Sequence, residues 1–363
     1  MVQSRRYSIE YENKKGVDVC MKAARKYDAG DIRIEDLVLP PLQADDVKIA
    51  VEWAGICGSD KHSYERSSPF ARDPFTVGHE FSGTVIEVGG EVARIKVGDR
   101  VIVNPLFFCG KCPACLQGYT NLCENLVLFG LNGIFGAFAE ETTVKENMVY
   151  KIPDNLPLDV AAVSEPTCIA AHALRISKFK PGDTAAVFGV GAIGLLMVSL
   201  LKASGCTKII ATARTASKLA LAKELGADIT INPNDPDADE QIKALASTVD
   251  VAFELSGAQQ SVDMAMRMLR VKGELCIISL PAQPIQYNAM MAIHKEITVT
   301  SSQCSNGEFP MVAELLASGA VNGAAVITKK IHLDDLVKEG FETLIVDSSQ
   351  LKILVTPKRE NLA

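Results

Sequence analysis

Four cysteines in "CGKCPACLQGYTNLC", Cys109, Cys112, Cys115 and Cys123, follow the spacing C-x2-C-x2-C-x7-C. Four thiolates from one loop suit a closed tetrahedral zinc site, which leaves no position for a substrate, so the role predicted here is structural. A second group is more open. Cys57 stands between glycines in "AGICGSDKHSY", followed by Ser59, Asp60 and His62, and further on "GHEFSG" sets His79 beside Glu80. A thiolate, an imidazole and a carboxylate can hold zinc with one position left for a reacting molecule, provided a third ligand joins from elsewhere. Taken alone, "GHEFSG" reads equally as a strand turning a corner, because one histidine without partners is more often structural than a ligand.

A third motif handles phosphate. "AVFGVGAIGLL" places Gly189, Gly191 and Gly194 as G-x-G-x-x-G, with Val190, Ala192 and Ile193 between them, after an apolar strand and at the start of a helical run. That context supplies a tight turn, close backbone approach to a pyrophosphate and a helix N-terminus facing its negative charge. An NAD site would place Asp or Glu about 20 residues on, accepting from the ribose 2′-hydroxyl. Here "IIATARTASK" offers Ala213, then Arg214 and, one helical turn later, Lys218. No carboxylate repels a 2′-phosphate and a guanidinium can fork onto one, so NADP(H) is the expected cofactor. Ordinary solvated charges opening a helix are the other reading of Arg214 and Lys218.

Such residues need rigid elements to hold them. The chain has 363 residues, enough for two cores, since single cores usually stop growing near about 250–300 residues. From residue 32 to about 136, short apolar runs such as "DVKIAVEWAG", "GTVIEVG" and "DRVIVNP" are separated by Gly, Pro and Asp, which predicts a β-rich irregular domain. After "KPGD" the pattern changes to "TAAVF", "AIGLLMVSLLKAS", "KIIAT", "ASKLALAKELG" and onward to "GELCIISL", strands alternating with helices. That alternation specifies a doubly wound parallel sheet with crossover helices, so the fold class is α/β. It stops near Ser302. The remainder holds helices and one last strand, too little for its own core, and is expected to pack back on the first domain. The predicted division is 1–166, with an extension over 1–20, then 167–302 and 303–363.

Composition limits the partners. A net charge of −7 with both signs dispersed gives no footprint for nucleic acid or anionic lipid. "MVQSRRYSIEYENKKGVDVC" lacks the apolar core of a secretory signal, and "AAVFGVGAIGLLMVSLL" is broken by three glycines, so neither a signal nor a membrane span is expected. Ten cysteines in a large chain without an export signal, four at metal spacing, point to a reducing, cytoplasmic setting. A small molecule is the expected partner.

"GICGSD", "GHEFSG", the four-cysteine loop, "SEPTCIAAHAL" and "GVGAIG", in this order, resemble the zinc-containing medium-chain alcohol and polyol dehydrogenases, from about residue 21 to the C-terminus. The resemblance implies a GroES-like catalytic domain beside a Rossmann domain, two zinc ions per chain, and reversible hydride transfer between an alcohol carbon and the nicotinamide. By the family pattern, Cys57, His79 and, as in the polyol branch, Glu165 of "SEP" would hold the catalytic zinc, with Glu80 a further carboxylate nearby; Glu165 is preferred to Cys168. A helix N-terminal carboxylate is the other reading of Glu165. Asp60 would fix the His79 tautomer. Ser59 would take the alcohol proton and pass it through the cofactor ribose to His62, an imidazole being suited to proton exchange near neutrality. No comparable motif surrounds His172, His294 or His332, which read as structural.

"VEWAGICGSD", "ITVTSSQCSNGEFP" and "VITKKIHLDDLVKEGFETLI" look most like the 2,3-butanediol and sorbitol branch. The arginine that some polyol-binding members carry near "SSQCSNGEF" is missing, with Asn306 its nearest match, which favours short vicinal diols or hydroxyketones over long sugar alcohols. Polyol, polyol-phosphate and threonine dehydrogenases would share every motif. A non-catalytic NADP(H)-binding protein of this fold would lack some of Cys57, Ser59, His79 and the cysteine loop, all of which are present. The resemblance also implies a homodimer or homotetramer.

Overall fold

The computed structural model describes residues 20–66, 74–132 and 135–362; apart from Cys20, the extension expected over 1–20 lies outside them. The strand Asp46–Gly55 alternates buried Val47, Ile49 and Val51 with partly exposed Lys48, Ala50 and Glu52, the period-2 pattern of a sheet with one wetter face. Glu80–Val88, Glu141–Lys145 and Lys352–Thr356 all pair with it antiparallel, at the centre of a seven-stranded sheet. In front of it lies a small sheet of Asp31–Leu37, Met21–Asp28 and Phe75–Thr76.

The other large sheet is six-stranded and wholly parallel, with spatial order Ile229–Ile231, Lys208–Thr212, Thr184–Phe188, Val249–Glu254, Leu269–Ile277, Thr298–Ser301. Numbered within this unit the order is 3-2-1-4-5-6, the doubly wound arrangement whose crevice lies between the first and fourth strands. "TAAVF" and "VDVAFE" are almost continuously apolar because helices cover both faces. The helix Ala192–Ala203 is apolar nearly all round. Its Leu195, Leu196 and Val198 share one core with Ala170 and Ala173 of the helix Ser164–Ile176, so the crevice and the first sheet are packed on the same hydrophobic mass.

The last segment does return to the first sheet, but with two strands where one was expected. Ile327–His332 pairs parallel with Lys352–Thr356. "ITKKIH" hides its strand character because it is an edge: Thr328 and Lys330 face solvent while Ile331 and His332 are buried. Among the described residues no helix is long and apolar enough to cross a membrane.

Candidate active site

Cys57 is the N-cap of the helix Gly58–Glu65, with extended backbone at φ −86° and ψ 158°. Asp60, buried in the first turn, accepts the Cys57 backbone N–H on Oδ2 at 3.0 Å and presents Oδ1 to His79 Nδ1 at 3.3 Å. One carboxylate therefore sets both residues. It faces the imidazole at Nδ1 as an ion pair rather than a formed hydrogen bond, and leaves Nε2 for a ligand. His79 itself follows Gly78, whose φ is +97° and on which a Cβ would meet the Phe138 backbone nitrogen at 2.8 Å. At the far end of "GHEFSG", a Cβ on Gly83 would strike the Ala50 carbonyl oxygen at 2.3 Å. Gly78 lets the chain turn into the strand Glu80–Val88, and Gly83 lets that strand lie close against Asp46–Gly55, which sets His79 beside Cys57.

The donor atoms of Cys57, His79 and Glu80 all lie within 4.8 Å of one another. Glu80 is already engaged, since Lys352 Nζ donates to its Oε1 and Oε2 at 2.8 and 2.6 Å and to Ile56 O at 3.2 Å. Both partners are almost wholly buried. Glu165 is outside the three-donor cluster, at the start of the Ser164–Ile176 helix, and among the described residues no hydrogen bond holds its carboxyl. Burial pushes that carboxyl up to about 7, with Glu80 and Asp60 adding to the rise and His79 and Lys352 opposing it. Burial works against a charged His79, yet the Asp60 carboxylate and the Cys57 sulfur raise the imidazole well above its usual range. Cys168 is fully buried and belongs to the core of the helix, and burial drives its thiol upward. Ser59 Oγ is buried without a hydrogen-bond partner, and His62 is exposed on the same helix.

The second set converges as its spacing predicts. Cys109, Cys112, Cys115 and Cys123 bring their sulfurs within 4.8 Å of one another, Cys112 and Cys123 at 3.9 Å. A tetrahedron of about 2.3 Å Zn–S bonds requires about 3.8 Å between sulfurs, whereas a disulfide requires about 2.05 Å. The thiols fit the metal and not a bridge. Backbone N–H groups of Cys109 and Asn125 point at Cys123 Sγ, both at 3.3 Å. Backbone donors, first Lys111 and then Cys112, hold the Cys109 thiol down to about 6, ready to bind as thiolate.

At the crevice the glycines divide their tasks. Gly189 has φ +95°, and a Cβ there would meet Ser256 at 2.9 Å; a Cβ on Gly194 would meet Gly189 O at 2.3 Å; around Gly191 nothing lies within 4 Å. That open space at a helix start is where a pyrophosphate can approach the backbone, flanked by Val190, Ala192 and Ile193. Ala213 directly follows the strand Lys208–Thr212, Arg214 beside it is exposed, and Lys218 is half-buried on the helix Ala216–Glu224. Burial lowers the Lys218 ammonium, and Asp347 opposes the change.

Residues 43–154 match the alcohol dehydrogenase GroES-like domain, and residues 192–318 match the zinc-binding dehydrogenase family. The (R,R)-butanediol dehydrogenase of Bacillus subtilis (strain 168) is 41% identical over 350 residues, 93% of this chain and 100% of that protein. The chain belongs to the zinc-containing medium-chain dehydrogenases. The sorbitol dehydrogenase of the same organism is 35% identical over 345 residues, 93% of this chain and 98% of that protein. A solved structure from Sinorhizobium meliloti 1021, described as a candidate zinc-binding dehydrogenase bound to NADP, superposes with TM-score 0.87 at 32% identity, covering 93% and 99% of the two chains.

Two residues of this dehydrogenase escaped the sequence reading. Lys352 was visible only as a lysine inside the apolar "LKILVTP". Glu254 ends an apolar strand in "FELSG"; its Oε1 accepts from Ser256 N, Ser256 Oγ and Gly257 N at 2.8, 2.6 and 3.0 Å, and its Oε2 accepts from Ser279 Oγ. It ties together two loops at the C-terminal rim of the sheet. Asn306, the nearest match to the missing arginine, is engaged by the cysteine loop. Its amide donates to Gly118 O and its Oδ1 accepts from Thr120 Oγ1, both at 2.8 Å, so it faces the cysteine loop. Burial pushes up the thiol of Cys304 in that segment, with Glu165 and Cys57 adding to the rise and His79 opposing it. His332 is satisfied by backbone at both ring nitrogens, and His294 is exposed.

Proposed function

We propose that this dehydrogenase transfers a hydride between NADP(H) and a short secondary alcohol with a neighbouring hydroxyl or carbonyl, such as 2,3-butanediol or acetoin. The observation that carries the cofactor half is Ala213 and Arg214 at the end of the second strand of the crevice, where a carboxylate would oppose a 2′-phosphate. The butanediol dehydrogenase, aligned along its whole length, supports the substrate half. Cys57, His79 and Glu165 are the proposed ligands of the catalytic zinc. Glu80 is held back by Lys352, and the unpartnered Glu165 is freer to bind. The four cysteines are the proposed structural zinc site. When bound, the catalytic zinc supplies a Lewis acid that polarises the substrate oxygen. Asp60 orients Cys57 and His79; Ser59 Oγ, buried without a partner, would take the substrate proton as it gives its own up through the bound cofactor's ribose to His62, which exchanges it with solvent at the exposed end of the same helix.

The division into a catalytic unit of 1–166 with 303–363 and a cofactor unit of 167–302 is part of this proposal. The two large sheets support it, and the boundary at 166 falls within the helix Ser164–Ile176, which joins the two units. A reducing compartment, the cytoplasm, suits a site built from four thiolates. The sorbitol relative favours a second reading, a polyol dehydrogenase. Initial rates on diols, polyols and their ketones, each with NADPH and NADH, separate the two. Higher kcat/KM for butanediol or acetoin with NADP(H) is the expected result; polyols ahead, or equal use of both nucleotides, would overturn the corresponding half.

A further inference from the structure

The four-cysteine loop is fastened to the segment 303–308 by buried side chains that neither metal set employs. Asn121, 4% exposed, sits in the short turn Thr120–Leu122 just ahead of Cys123. Its Nδ2 donates to Gln303 O at 2.8 Å and lies 3.4 Å from His172 Nε2. The other ring nitrogen of His172 is 2.9 Å from Glu308 Oε1, and Glu308 Oε2 accepts the Asn306 backbone N–H at 2.5 Å. With the Asn306 side chain bonded to Gly118 O and Thr120 Oγ1, the backbone from 303 to 308 is gripped along its length by the loop and by the Ser164–Ile176 helix. Between the grips Cys304 adopts φ +50°, a left-handed conformation that a non-glycine residue keeps only when its surroundings impose it. Cys304 shares the electrostatic surroundings of Glu165, His79 and Cys57. His172 and Glu165 stand seven residues apart on the same helix, two turns along one face, so that helix serves both places.

We propose that Asn121 and His172 are positioning residues for the alcohol pocket: they lock the 303–308 backbone, and with it the Cys304 wall, to the four-cysteine loop. The closed site then governs the shape of the open one. This rests on reading the Cys57 and His79 cluster as the alcohol site. Removing the Asn121 donor leaves Gln303 O and His172 Nε2 without their partner in a buried place, so the segment should relax away. A shift of about 1 Å in a pocket wall can cost up to about a hundredfold in rate.

The test uses the full zinc-loaded chain with Asn121→Ala, the near-isosteric Asn121→Asp, which lacks the donor, and Gln117→Ala as control. Gln117 is exposed and its amide donates to Pro113 O within the loop. Zinc per chain, amide exchange across 302–308, and kcat and KM for alcohol and nucleotide are measured. Expected for both Asn121 variants are parent zinc content, nucleotide KM within about twofold, alcohol kcat/KM lowered about tenfold or more mainly through KM, and exchange at 302–308 at least about tenfold faster; the control matches the parent. Parent-like exchange at 302–308, or alcohol and nucleotide KM rising together, would overturn the proposal. If the parent oxidised no alcohol, the assigned activity would fall, and the exchange arm would still decide whether Asn121 locks this segment.

Discussion

The two sets of thiolate ligands ask for opposite outcomes from the same substitution. Cys57 sits at a helix N-cap in the proposed open site, whereas Cys112 would be one corner of the proposed closed four-thiolate site, its Sγ 3.9 Å from that of Cys123. Cys57→Ser should lower kcat by at least about a thousandfold with thermal stability close to the parent; Cys112→Ser should instead cut soluble yield and melting temperature. Metal analysis with thermal melts checks both, and active parent protein free of zinc would refute the pair. At Ser59 the orphaned hydroxyl makes a sharper claim. Ser59→Ala should cost about a hundredfold or more in alcohol oxidation, and His62→Ala less, because water reaches an exposed relay end. Parent-like rates for Ser59→Ala across the pH profile would remove that role. Arg214 should matter more than Lys218, whose half-buried ammonium already has Asp347 as a neighbour. Ala213→Asp with Arg214→Ala should raise the NADPH KM by about one to two decades, the worth of a charge-assisted pair, and favour NADH; an unchanged nucleotide ratio would mark Arg214 as a solvated charge.

At the scale of elements, the sequence disclosed whatever depends on local spacing. The cysteine loop, the glycine turn and the alternation of the parallel sheet are all contiguous patterns, and each lies where it was read. What stayed hidden depends on distant residues meeting. Lys352 finds Glu80 only because the last strand returns to Asp46–Gly55, and Asn306 turns to the cysteine loop because Thr120 and Gly118 are there to bond it. Edge strands such as Ile327–His332 carry solvent-facing lysine and threonine and so blur the apolar signal. The His172 and Glu308 pair is another long-range meeting with a consequence in pH. Burial opposes ionisation of Glu308, but His172, Arg175 and the Asn306 N–H outweigh it and hold the carboxyl below its usual range. The folded value being depressed, the contribution is present above the unfolded carboxylate value of about 4.3 and is lost as pH falls through the folded one. Glu308→Gln should therefore cost about 1.5–3 kcal/mol at pH 7, the worth of hydrogen bonds to a charged group, and the gap to the parent should narrow below about pH 4. Urea unfolding at both pH values checks this; a gap independent of pH would show that the ionised carboxylate contributes nothing.

At the scale of the whole molecule, among the described residues the parallel sheet ends in a strand that has a neighbour on one side only. Thr298–Ser301 pairs with Leu269–Ile277 and presents its other edge, with Val299 exposed. Beside it Leu280, Tyr287, Met290 and Ile293 are exposed around the helix Ala289–Lys295. Unpaired edges are normally blunted by charge, proline or a covering element, and a group of large apolar side chains next to one is an association surface. A two-fold contact would let the strand meet its own copy, closing the edge and burying both apolar patches with a single self-complementary surface. The expected state is thus a homodimer or a tetramer containing that dimer. Val299→Lys with Ile293→Asp places charge on the edge and on the helix while touching no proposed ligand, so it should shift the chain toward monomer with zinc content unchanged. Light scattering after size exclusion at micromolar concentration gives the answer. A monomeric parent, or a double variant that keeps the parent's mass, would show that this edge is covered in some other way.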